Sequence, residues 1–111
     1  KIRPEYIDLI ETRGVIHYRL GRLDEAVQDL SRSLELYPVN AAAMASTHFH
    51  IARVYAEMGR EADAIRHVEQ ALALHRRSRQ SADPGQRRSE LSEKDMADAE
   101  RLLDQLKKGN G

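Results

Sequence analysis

The stretch LGRLDEAVQDLSRSLELYP, residues 20–38, decides the fold. Ala26, Val27, Leu30, Ser33, Leu34 and Tyr37 recur at spacings of one, three and four, which puts them on one face of a helix. Gly21 stands just ahead of the segment and Pro38 closes it. Asp24 is the expected N-cap. Ala26 and Ser33 are small and flank Leu30, so this face is shaped for close approach by a second helix.

That second helix reads from about Pro4 to Leu20. Pro4 suits a first turn, where its missing N–H costs nothing. Ile7, Ile10, Gly14 and His17 share one face. Downstream, Asn40 is the expected cap of a third helix, with Val39 and Met44 spaced as a hydrophobic staple. Met44, His48, Ile51, Ala52 and Tyr55 form its stripe, and Gly59 ends it. A fourth helix carries Ala64, Ile65, Val68, Ala71, Leu72 and His75. Residues 76–90 lose the apolar period, and Asp83-Pro84-Gly85 is a turn signal. A fifth helix opens with Ser92 as N-cap, Asp95 at its third position, and Leu91 and Met96 spaced for another staple. Its stripe is Met96, Ala99, Leu103 and Leu106, and Gly109 closes it.

Composition narrows the function. The 111 residues suit one domain. Phe49, four Tyr and no Trp leave a core of Ala, Leu, Ile, Val and Met. No segment alternates long enough for a strand, so the fold class is all-α. Basic and acidic residues balance at 18 each, without the basic excess usual in a nucleic-acid binder. No apolar run approaches the roughly 18–20 residues of a membrane span, no signal-peptide pattern opens the chain, and a cytoplasmic location is the expectation. Cysteine is absent. The 14 Arg against 4 Lys suggest a GC-rich bacterial source.

Two successive hairpins invite a search for internal repetition. A shift of 38 residues places Gly21 on Gly59, Ala26 on Ala64, Leu30 on Val68, Leu34 on Leu72, Gly14 on Ala52 and His17 on Tyr55. Small residues stay small and large apolar residues stay large. With these residues the chain resembles the tetratricopeptide repeat family, whose 34-residue pattern runs bulky-x2-Leu-Gly-x2-Tyr, Gly, Ala-x3-Phe-x2-Ala, Pro. Ile10, Gly14, His17, Gly21, Ala26, Leu30, Ser33 and Pro38 take those places in the first unit, and His48, Ile51, Ala52, Tyr55, Gly59, Ala64, Val68 and Ala71 in the second. Arg13, His17 and Arg76 depart from it, standing for Leu, Tyr and Pro.

The resemblance implies an α-α superhelix of two helical hairpins and a C-terminal capping helix. Residues 1–6 are read as the tail of a preceding repeat, 7–40 as unit 1, and 41–75 as unit 2. Four added residues, Ala41 to Met44, are expected to lengthen the first helix of unit 2 by one turn. Residues 76–91 form an Arg-rich loop and 92–108 the cap. The start at Lys1 fits a piece of a longer array, leaving Ile7 and Ile10 of the first helix uncovered. Exposing such side chains forfeits roughly 1.5–3 kcal/mol each, so self-association as a homodimer through that end is expected.

The resemblance further implies a protein-interaction module without enzymatic activity, cofactor or metal, binding a protein or peptide in a concave groove and not nucleic acid or membrane. The groove positions are Glu11, Val15, Tyr18 and Arg19, with Asp8 beside them, and Phe49, Arg53 and Glu57, with Ser46 and Ala56. Tyr18, Phe49 and Arg53 have hot-spot chemistry, and Phe49 is singled out because it lies off its helix's main stripe. The competing reading is that these are ordinary half-exposed residues, in a structural segment that joins or spaces other domains. Family members that grip a C-terminal carboxylate use Lys and Asn; here Glu11, Val15, Phe49 and Arg53 stand instead. The five His include no HExxH pattern or His/Cys cluster, and His17 and His48 are expected to pack in the core. The arginines of residues 76–90 read as a solvated linker ahead of a phosphate-binding tract.

Overall fold

In the computed structural model, which describes residues 3–37, 43–80 and 91–109, five helices follow one another. They are α1 (Pro4–Arg19), α2 (Leu23–Leu36), α3 (Met44–Glu57), α4 (Glu61–Gln80) and α5 (Glu93–Gly109). Each packs on the next, α1 also touches α3, and α3 also touches α5. No strand occurs among the described residues. The all-α repeat expected from the sequence is the fold observed.

The two hairpins close with the same backbone device. Gly21 and Gly59 adopt φ of 79° and 81°, a left-handed conformation that glycine enters without a Cβ clash. Gly21 N–H donates to the Tyr18 carbonyl at 3.0 Å and Arg22 N–H to the His17 carbonyl at 2.8 Å. In unit 2, Gly59 donates to Ala56 at 3.2 Å and Arg60 to Tyr55 at 2.9 Å. Both are Schellman motifs, which satisfy the last carbonyls of a helix while reversing the chain. The 38-residue shift of the sequence is thus a shift of hydrogen bonds.

Small residues sit where the helices cross. Ala26, Ala52, Ala64 and Ala71 are fully buried, as is Ser33. A Cβ at Gly14 would fall 2.8 Å from Leu30 Cγ, so at this crossing of α1 and α2 any larger residue must push the Leu30 side chain aside. Two cores result. One gathers Ala26 and Leu30 of α2 with Ile51 and Val54 of α3. The other gathers Ala45, Phe49 and Ala52 of α3 with Val68, Ala71 and Leu72 of α4, and with Leu91 and Ala99. Helix α3 presents one face to each.

Several boundaries differ from the sequence reading. Arg22, not Asp24, precedes α2, and Asp24 lies in its first turn. Asn40 and Val39 lie outside the described residues, and Ala43 occupies the N-cap of α3. Of the four added residues, Ala41 and Ala42 lie outside the described residues, Ala43 precedes α3 and Met44 opens it, and the described α3 has 14 residues against 16 in α1. Helix α4 runs through Gln80, so Arg76, Arg77 and Arg79 are helical, and residues 81–90 with Asp83-Pro84-Gly85 lie outside the described residues. The basic side chains in that last turn oppose the partial negative charge of the helix end. Ser92 is the N-cap of α5: its Oγ accepts from Asp95 N–H at 3.1 Å. Leu91 and Met96 both join the second core, as a staple requires.

Polar side chains tie the layers together. Arg13, standing where the family pattern has Leu, donates from Nε and Nη2 to Asp29 Oδ2 and Oδ1 at 2.6 and 2.7 Å. This fork-to-fork pair links α1 to α2, and it holds the Asp29 carboxyl below its usual range. His17 lies on the same carboxylate, Nε2 3.7 Å from Oδ2, while its Nδ1 is buried without a partner among the described residues. In unit 2 the rings of His48 and His67 meet Nδ1 to Nδ1 at 2.9 Å. One nitrogen must donate and the other accept, so at least one ring is neutral.

Candidate functional site

The inner side of the hairpins forms a cleft of about 330 Å³. Tyr18 comes from the last turn of α1, and Phe49, Arg53, Ala56 and Glu57 from α3. These α3 residues share a face because spacings of three, four and seven return to one side of a helix. The opposite wall is α5, through Asp98, Arg101, Leu102 and Gln105.

Arg53 is the centre of this cleft. Its guanidinium carbon lies 5.1 Å from the Tyr18 ring centroid and 5.5 Å from that of Phe49. A planar cation held over two aromatic faces is attracted by both quadrupoles and has few other rotamers to visit. The Tyr18 hydroxyl is pushed above its ordinary pKa, first by burial and then by the neighbouring Glu57 carboxylate. Across the cleft, Asp98 accepts from Lys94 at 2.9 Å and from Arg101 at 3.1 Å, and its pKa is lowered by these cations, Lys94 first.

Of the sequence-expected groove residues, Tyr18, Phe49, Arg53 and Glu57 come together here. Phe49 is not an exposed anchor: it is 1 % exposed and forms the cleft floor, roofed by the second core. Its position off the α3 stripe reflects a core shared with α4, with Leu91 and with Ala99 of α5. Glu11 is drawn away into the frame. It accepts from the Tyr37 hydroxyl at 2.5 Å, and Thr47 Oγ1, which is shared with the Ala43 carbonyl, lies 2.8 Å from its other oxygen. Val15 packs half-buried on the first core, and Arg19 is exposed.

The expected self-association residues need correction. Ile7 is 5 % exposed and faces inward, and Ile10 is only half exposed. The bare apolar residues of α1 and its C-cap are instead Tyr6, Leu9, Ile16 and Leu20, between 49 and 63 % exposed. The signal was present in the sequence: 9, 16 and 20 share a helical face distinct from that of 7 and 14. The α5 wall was missed because α5 reads as a cap, whereas it stands where the first helix of a further unit would stand.

Among the described residues, no group of three or more His, Cys, Asp or Glu is placed to hold a metal ion, and no helix is long and apolar enough to cross a membrane. The model of the family described as the tetratricopeptide repeat matches residues 6–77. No curated protein and no solved structure matches the chain.

Proposed function

The chain belongs to the tetratricopeptide repeat family, whose repeats are generally non-enzymatic protein–protein interaction modules, and from that premise we propose that the cleft between α1, α3 and α5 receives an extended peptide of a protein partner. The observation that carries this reading is the stacked Arg53. A side chain already fixed against Tyr18 and Phe49 loses little freedom when it meets a ligand, which is where preorganised sites gain affinity. Arg53 and Arg101 offer forked donors to backbone carbonyls or a carboxylate. Glu57 offers an acceptor, and Ala56 and Leu102 supply apolar contact. The balance of two cations and two carboxylates favours a peptide of mixed polarity over a uniformly charged one.

The test is to select binders from a library of unstructured peptides on the 111-residue chain and measure their affinity for variants. Arg53→Ala is expected to weaken the selected peptides at least about tenfold, in line with a hot-spot residue, with the melting temperature unchanged within a few degrees. Peptides that bind Arg53→Ala and Tyr18→Ala as tightly as the parent chain would rule out this cleft. The second reading, a structural element that joins or spaces other chains, draws on one observation: the uncovered apolar face of α1.

A further inference from the structure

Helix α1 buries one face in the hairpin and leaves the opposite face bare. Tyr6, Leu9 and Ile16 lie on it with Leu20 at the C-cap, and the first three bound an apolar depression with Ile10, Thr12 and Arg13. A single exposed Leu is unremarked on any protein, but four large apolar side chains in one stripe mark an association surface.

The stripe is self-complementary. Leu9 and Ile16 are seven residues apart, and Tyr6 and Leu20 are fourteen apart. Both pairs are centred between Thr12 and Arg13 to within about a residue, on an axis rising 1.5 Å per residue. A two-fold axis through that centre, perpendicular to the helix, lays Leu9 on Ile16 of a second copy and Tyr6 on Leu20. The charges obey the same symmetry. Glu5 and Arg19 are exposed, flank the stripe on the same side, and are also centred at Thr12. Antiparallel pairing sets each Glu5 beside an Arg19 of the other copy, twice per dimer. Parallel pairing leaves both unmatched. The cation nearest the axis, Arg13, is drawn aside by its two bonds to Asp29, so the two copies of it are not forced together.

Among the described residues, α5 offers no such face. Helix α5 covers the second core and exposes Glu93, Lys94, Glu100, Arg101 and Asp104. Head-to-tail growth would have to bury the bare stripe on these charges. We infer that two copies of this chain associate through α1 as a closed antiparallel dimer. One helix face is small beside the roughly 800 Å² per partner of a standard interface, so the dimer is reversible and concentration-dependent.

Sedimentation equilibrium of the 111-residue chain from about 10 μM to about 1 mM reads this directly. A monomer–dimer equilibrium without larger species is expected, and Leu9→Lys should weaken it at least about tenfold. The side chain is exposed, so circular dichroism melting should be unaltered. Glu5→Arg and Arg19→Glu should each weaken the dimer about two- to tenfold, and the two together should restore it. A chain monomeric throughout the range overturns the proposal. So does a dimer indifferent to Leu9→Lys, a combined charge exchange without recovery, or open-ended assembly.

Discussion

The two units share one backbone plan but fill it differently, and the differences come in compensating sets. Where unit 1 has Gly14 against Leu30, unit 2 has Ala52 and Val68 at the equivalent places. One methylene has moved across the crossing and the sum is kept. Where unit 1 has Glu11, clasped by Tyr37 and Thr47, unit 2 has Phe49 sunk in the second core. Where unit 1 has Asp29 under Arg13, unit 2 has His67 against His48. The repeat keeps the summed volume at the helix crossing, while at the other two levels an ion pair or hydrogen-bonded carboxylate in one unit is replaced by a different kind of contact in the other.

The largest break in this parallel should come at the Glu11 and Phe49 level. Phe49→Ala empties a fully buried site and should cost about 3–5 kcal/mol by urea denaturation. Glu11→Ala removes two hydrogen bonds in a half-buried place and should cost about 1–2 kcal/mol. Equal losses would mean that the two levels are not built as described.

Acid should separate the units next. Burial, followed by the neighbouring His67, lowers the His48 pKa to about 4, and burial first of all lowers that of His67. The folded chain therefore holds fewer protons than the unfolded chain between about pH 6.5 and 4. Stability is full above the ordinary histidine pKa and falls as the pH drops. For His48 alone the loss is about 2 kcal/mol at pH 5. Asp29, whose carboxyl is held low by Arg13, stays ionised there, so unit 1 keeps its ion pair. Thermal melts at pH 7.5 and 5 should show the drop, and His48→Leu with His67→Leu should make it markedly shallower. His50 and His75, lowered mainly by burial, leave a residual slope.

The smallest effect tests the exchanged methylene. Gly14→Ala gains about 1 kcal/mol of helix propensity but drives a Cβ to 2.8 Å from Leu30 Cγ. Overpacking of this kind costs about 1–3 kcal/mol, so a net loss of about 1 kcal/mol is expected. Adding Leu30→Val converts the crossing to that of unit 2 and should return the stability. Additive losses in the double variant would show that the two positions do not compensate.

The fold was legible because its determinants are local or periodic. Gly21 and Gly59 announce the hairpin turns, and the small residues at 14, 26, 52 and 64 announce the crossings, without reference to anything distant. The cleft was legible only in part. Tyr18, Arg53 and Glu57 follow from helical phase within a unit, but the core that buries Phe49 also draws on Leu91 and Ala99, more than forty residues away in the chain. Glu11 was misjudged for a similar reason, since its partners lie on two later segments. The bare face of α1 was misplaced because this helix is apolar on two sides, and periodicity alone does not rank one above the other.

Helix α3 carries a consequence of its own. Ile51 and Val54 belong to one core while Ala45, Phe49 and Ala52 belong to the other. Neither hairpin can melt alone without stripping one face of this shared wall, so each hairpin's stability carries the interface term of its neighbour.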